Sequence, residues 1–148
     1  VAFIGRGGTR AIVAANHYNG PGEVLTEDEH PVVITAPIES PRLGGAILAA
    51  LRATEVRQEK NLRERKVTEW PSFRASGAES VREFERDFIR MSVSGVNSSN
   101  LIYAIESSPP WDDALSVSVS VPSHAEPSEV TRQCLRVWRA CRDRTLAV

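Results

Sequence analysis

Leu115-Ser116-Val117-Ser118-Val119-Ser120-Val121 is the stretch on which the reading of this chain turns. Aliphatic and serine side chains alternate without a break. Successive side chains of a strand point to opposite faces, so this pattern predicts a strand with one face on a core and one toward water. Two shorter alternations precede it. Ile89, Met91 and Val93 form one, and Leu101, Tyr103 and Ile105 the other. The connections, 95–100 and 107–113, are short and rich in turn residues. Three such strands in succession most simply form an antiparallel meander.

Downstream, the period changes from two to 3.6. Pro127 suits the first turn of a helix. Val130, Cys134, Val137, Trp138 and Cys141 then fall on one side, with Arg132, Arg136 and Arg139 opposite. This predicts an amphipathic helix over 128–144, packed on the sheet. Its two cysteines lie roughly 10 Å apart along the axis, at about 1.5 Å per residue, too far to join within one helix. They are expected as small core residues, in keeping with a reducing, cytoplasmic compartment.

Upstream, Ala2-Phe3-Ile4, Ala11-Ile12-Val13-Ala14 and Pro31-Val32-Val33-Ile34-Thr35 read as strands, the last a buried one. Asn19-Gly20-Pro21-Gly22 reads as a turn. Ser40 and Pro41 open a helix over 41–53 whose apolar stripe carries Leu43, Ile47, Leu48 and Leu51. Gly44 lies inside that stripe and is expected to let the helix approach a sheet. The highly charged segment 55–69 is expected as an exposed helix or a connection, ending at Trp70-Pro71. Ser80 and Glu83 have capping-box spacing ahead of a short helix presenting Val81, Phe84 and Phe88. The predicted fold is a single α+β domain over 1–148, a mostly antiparallel sheet packed against two or three helices. The helices near 41–53 and 128–144 are expected on one face.

Composition narrows the function classes. The 148 residues are 41% hydrophobic and 25% charged, with a formal net charge of −1. Those are values of a soluble domain, without a bulk pull toward nucleic acid or membrane. No apolar run is long enough for a transmembrane helix and no signal-peptide pattern is visible, although a chain starting at Val1 leaves a lost leader open. His17, His30 and His124 are the only histidines, and none has metal-ligand spacing with another histidine or a cysteine. Each is expected as a solvated loop residue, with His17-Tyr18 the most suggestive pair. Gly5-Arg6-Gly7-Gly8 follows a strand, but no helix pattern opens after it, so a turn is expected rather than a phosphate cradle. Two alternatives stay open. One is a small hydrolase or nuclease using His17 or His124. The other is a nucleic-acid-binding module using Arg132, Arg136 and Arg139.

Three stretches together resemble the immunity proteins of contact-dependent growth inhibition (CDI) systems. The first is Val32-Val33-Ile34-Thr35 followed by Ser40-Pro41-Arg42-Leu43-Gly44-Gly45-Ala46-Ile47-Leu48-Ala49-Ala50-Leu51. The second runs from Trp70 to Phe88. The third is the serine-alternating strand with Ser123-His124-Ala125-Glu126-Pro127-Ser128-Glu129 and the closing helix. Arg42 stands where the family usually has an acidic residue. The resemblance implies a cytoplasmic non-enzyme without cofactor or metal. Its partner would be the C-terminal toxin domain, often a nuclease, of one cognate effector, bound one to one, with neither membrane nor nucleic acid as a partner. An inhibitor of a basic nuclease cleft would offer carboxylates. The contacts so implied are Glu23, Glu27, Asp28, Glu29, Glu106, Asp112 and Asp113, with Trp111 either an aromatic anchor or a cap on the edge of the core.

Overall fold

In the computed structural model, which describes residues 1–19, 24–57, 66–97, 102–107 and 116–143, the serine-alternating run forms an edge strand, β9 (Val117–Pro122). Val121 is buried, Val117 and Val119 are half-buried, and Ser118 and Ser120 are exposed, as the alternation requires. It pairs antiparallel with β8 (Ile102–Ser107), which pairs antiparallel with β7 (Phe88–Asn97). The predicted meander is therefore present. Strand β7 is longer than expected: it runs through Gly95 to Asn97, with a register shift between those two residues.

The sheet continues through β1 (Ala2–Gly5), β2 (Arg10–Val13) and β5 (Val32–Thr35), giving the order β5-β2-β1-β7-β8-β9, antiparallel at every step. Because β5 is an edge strand, Val32 is 42% exposed and only Ile34 is buried. The expectation of a buried strand there is corrected by this edge position. The glycine-rich segment is the turn between β1 and β2, closed by Gly8 N–H donating to Gly5 C=O at 2.9 Å. Gly8 has φ +69°, and a Cβ there would sit 3.1 Å from the Trp138 ring, so both backbone and packing favour glycine. A second, three-stranded sheet holds β3 (Asn16–Asn19) between β4 (Val24–Glu27), antiparallel, and the two-residue β6 (Val56–Arg57), parallel.

Helices α1 (Pro41–Ala53) and α4 (Pro127–Asp143) cover one face of the large sheet. Ala2, Ile4, Ala11, Val13, Met91 and Ile105 meet Leu43, Ile47, Val130, Val137 and Trp138 there. Phe3 and Ile12 alternate to the other face. They pack with Phe73 of α2 (Pro71–Ser76) and Phe84 of α3 (Val81–Asp87), and the Phe84 ring lies 5.0 Å from Phe3 and 5.5 Å from Phe73. Ser80 caps α3, accepting from Glu83 N–H at 3.2 Å. The charged segment 55–69 is neither one helix nor a plain connection. It begins with β6 and ends in a 3₁₀ turn at Val67–Glu69, and 58–65 lie outside the described residues. Trp70 takes the extended backbone demanded before proline, and Pro71 opens α2.

Gly44 does approach another element closely, but that element is α4, not a sheet. An ideal Cβ on Gly44 would sit 1.8 Å from the Pro127 carbonyl oxygen and 3.0 Å from Thr131 N. The Thr131 hydroxyl accepts from Gly44 N–H at 2.8 Å and donates to Ser40 C=O at 3.1 Å. One side chain of α4 is thus stitched into the first turn of α1. Gly44→Ala must push the helices apart. It is expected to cost about 3 kcal/mol in urea unfolding. Gly45→Ala, where nothing lies within 4 Å of the added methyl, is expected to stabilise by about 0.5–1 kcal/mol.

Both cysteines are free and buried in α4. Cys134 Sγ rests 3.9 Å from Met91 Sδ, and burial pushes its thiol up to about 12. Cys141 Sγ lies 3.7 Å from Ser107 C=O, and burial raises its thiol too. A thiolate-selective reagent at pH 8 is expected to label neither in the native chain and both after denaturation. Native labelling of Cys134 within minutes would contradict this packing.

Candidate protein-binding cleft

The acidic run expected as an exposed contact loop is instead largely engaged inside the chain. Glu27 ends β4 and reaches α2. Its Oε2 accepts from Ser72 N–H and its Oε1 from the Ser72 hydroxyl, both at 2.8 Å. At the other end of α2, the Arg10 guanidinium of β2 donates to Ser76 C=O at 2.9 Å and to Ala75 C=O. A six-residue helix has little stability alone. Here an anion meets its free N–H groups and a cation its free carbonyls, each matching the helix dipole. Asp28 places Oδ2 3.3 Å from His17 Nε2, and its Oδ1 accepts from His30 N–H at 3.0 Å. Glu29 is half-exposed and pairs with Arg74 at 2.7 Å. Of the three, Glu29 is the one displayed to solvent as the sequence reading required.

His17 is the largest departure from expectation. It lies fully buried in β3, the central strand of its sheet, and its Nδ1 has no hydrogen-bond partner among the described residues. The strand Asn16-His17-Tyr18-Asn19 is polar, so no hydrophobic alternation marks it. His30 and His124 are exposed, as expected. Arg136 and Arg139 are exposed on α4. Arg132 pairs with Glu129, its Nε donating at 2.9 Å. Glu23, Trp111, Asp112 and Asp113 lie outside the described residues. Glu106 stands in β8 opposite Ser92 and Ser118, its side chain not described.

A cleft opens where the two sheets part. Val1 itself lines the gap, which lies directly ahead of it between residues 14–16 and 92–95. Val1 and Ala14 exchange backbone hydrogen bonds at 2.9 Å, after which the chain leaves the large sheet to form β3. The gap measures about 320 Å³. Its floor is the C-terminal half of α1, with Ile47, Ala50 and Leu51; Val13 and Val93 wall it; Asn16, Arg90 and Ser92 supply polar groups. Tyr18 stands at its edge, 40% exposed, and its strand neighbour across the β3–β6 pair is Val56, 68% exposed. Single exposed apolar residues are ordinary. Two side by side, continuous with an apolar cleft, form the kind of surface that proteins bury on association.

Among the described residues, no group of three or more histidine, cysteine or carboxylate side chains could hold a metal ion, and no helix is long and apolar enough to cross a membrane. No protein-family model and no curated protein matches the chain. Among solved structures it is similar to the protein of unknown function NMB0488 from Neisseria meningitidis, with a TM-score of 0.60 and 12% identity over 95% of this chain and 93% of that one. At that identity the likeness is one of fold. It extends over nearly the whole of both chains, and the architecture is the expected α+β class.

The Glu27–Ser72 contact predicts a coupling. Glu27→Ala and Ser72→Ala are each expected to destabilise by about 1–2 kcal/mol, and the double variant by clearly less than the sum, in urea melts. Strict additivity would show that the two side chains do not act together.

Proposed function

We propose that this protein is an immunity protein of the CDI type, which binds the C-terminal toxin domain of one cognate effector and blocks it without turnover. The observation that carries the reading is the pair of apolar side chains exposed side by side on the small sheet, Tyr18 and Val56. Apolar side chains displayed together are what a protein partner covers on association. The stretches that resemble the family also support it, since they fold as strand then helix (β5 to α1) and as strand, turn and helix (β9 to α4). The two buried thiols suit a reducing cytoplasm, where a toxin attacking nucleic acid would be met.

The histidine-dependent alternative is weakened by a positive observation. A general base must reach the proton it takes, and His17 is sealed from solvent against Asp28. Exposed His124 keeps that alternative testable. Co-expression with the toxin domain encoded immediately upstream is expected to restore growth, and the two chains are expected to co-purify one to one. His30→Ala and His124→Ala are expected to protect as well as the parent. Failure of the parent chain to protect would end the reading; loss of protection in a folded His124→Ala would favour the hydrolase.

A further inference from the structure

Among the described residues, strand β9 ends one side of the large sheet with its outer edge open. Pro122 has no N–H, so the Ile102–Pro122 pair cannot be one that exchanges two backbone bonds. Bonded and unbonded pairs alternate along an antiparallel ladder. Val121, Val119 and Val117 therefore direct their N–H and C=O groups at β8, and those of Ser120 and Ser118 point away from it. The same alternation, carried on to β7, turns the Arg90 carbonyl toward β8, where it accepts from the Ser107 hydroxyl at 2.7 Å. Ser118 and Ser120 are exposed, and their outward groups meet no partner among the described residues. An open row of donors and acceptors is a template for another strand, and proteins blunt it with charge, proline or brevity. The opposite edge is blunted: β5 has four residues and lies between Pro31 and Pro37. Strand β9 has six, its proline is the last of them, and 116–123 carry no charged side chain.

We propose that β9 is a docking edge for a second copy of this chain, pairing antiparallel with its own counterpart about a two-fold axis. Ser118 of one copy lies opposite Ser120 of the other. The two residues whose backbone groups face outward then exchange both bonds, once on each side of the axis. Val119 meets its counterpart on the axis. Paired residues of an antiparallel ladder share a face, so valines meet valines on the helix-covered side and serines meet serines on the open side. Val117 and Val119 are half-buried at the margin of the core, and the second copy extends that apolar layer. The neutrality of the strand is what points to a second copy. Self-pairing sets identical side chains close together, and like charges there would repel. This edge has none to repel, and nothing with which to select a charged partner strand. Strands of six residues bury less than the roughly 1,200 Å² of a stable interface, so the dimer is a weak one, with a dissociation constant of about 100 µM. The inference is independent of the immunity reading, because the partner is this chain itself.

Sedimentation equilibrium of the whole chain, from about 5 to about 500 µM, is the test. The apparent mass is expected to climb from that of one chain toward that of two. A variant carrying both Ser118→Lys and Ser120→Lys sets ammonium groups opposite each other and is expected to associate at least tenfold more weakly. A variant carrying Ser118→Glu and Ser120→Glu is expected to do the same. Mixing these two is expected to restore association between unlike copies, which added salt then weakens. Ser118→Pro removes an outward N–H and no bond to β8, and is expected to weaken the parent dimer about tenfold. All these positions are exposed, and urea melts check that each variant folds. A parent that stays monomeric to the highest concentration would overturn the proposal; an edge reserved for a strand of another protein would give that result. A lysine variant that dimerises like the parent would overturn it too. Folded lysine and glutamate variants that stay apart on mixing would overturn the serine-opposite-serine pairing.

Discussion

The crossing of α1 and α4 at Gly44 is the constraint from which the rest of the architecture follows. With no side chain at Gly44, the backbones meet at a distance that any Cβ would forbid. Thr131 then holds the contact by accepting from one end of the first turn of α1 and donating to the other. Close backbone approach lets both helices lie on the same face of the sheet and share one core with β1, β2 and β7. It also aims the far half of α1. Leu43 and Gly44 are locked against α4 and the core, and Ile47, Ala50 and Leu51 further along the helix pack toward Val13 and Val93.

The second constraint is the parting of the two sheets. After β2, the chain turns out of the six-stranded sheet at Ala14 and Ala15, and Asp28 N–H, donating to Ala15 C=O at 2.8 Å, fixes the returning strand. The acidic run that follows ties β4 to α2 and to His17. The electrostatic reading of the sequence placed the negative charges on the contact surface. The structure gives Glu27, Asp28 and Glu29 partners within the chain, which leaves each less free to meet a ligand.

What was legible from the residues, and what was not, follows physical lines. Strands β7 and β9 and helices α1 and α4 each bury one face, and a one-sided element writes its period into the chain. The fold class was therefore readable. Strand β3 has no apolar alternation to announce it, and its pairing with β6 joins residues far apart in sequence. Helix α2 is held at both ends by Glu27 and Arg10, and a six-residue helix so clamped needs no strong pattern of its own. Gly44 could be read as a site of close approach, but which element approaches is a tertiary fact. The cleft was missed for the same reason: Tyr18, Ala50 and Val93 are unremarkable residues, and only the divergence of the sheets brings them together.

Strand β1 sits in the middle of the sheet, between β2 and β7, so residues far apart in the chain, such as Ala2 and Met91, are neighbours at its heart. The Thr131 stitch likewise joins positions 87 and 91 residues apart. A ribosome releasing this chain therefore cannot leave behind a finished N-terminal half. Until β7 and α4 emerge, β1 has one open edge and α1 an uncovered face. Such long-range closure slows assembly and makes it cooperative. A chain cut short anywhere before the last helix would be left with its core exposed, as prey for proteases and chaperones rather than as a smaller working version of itself.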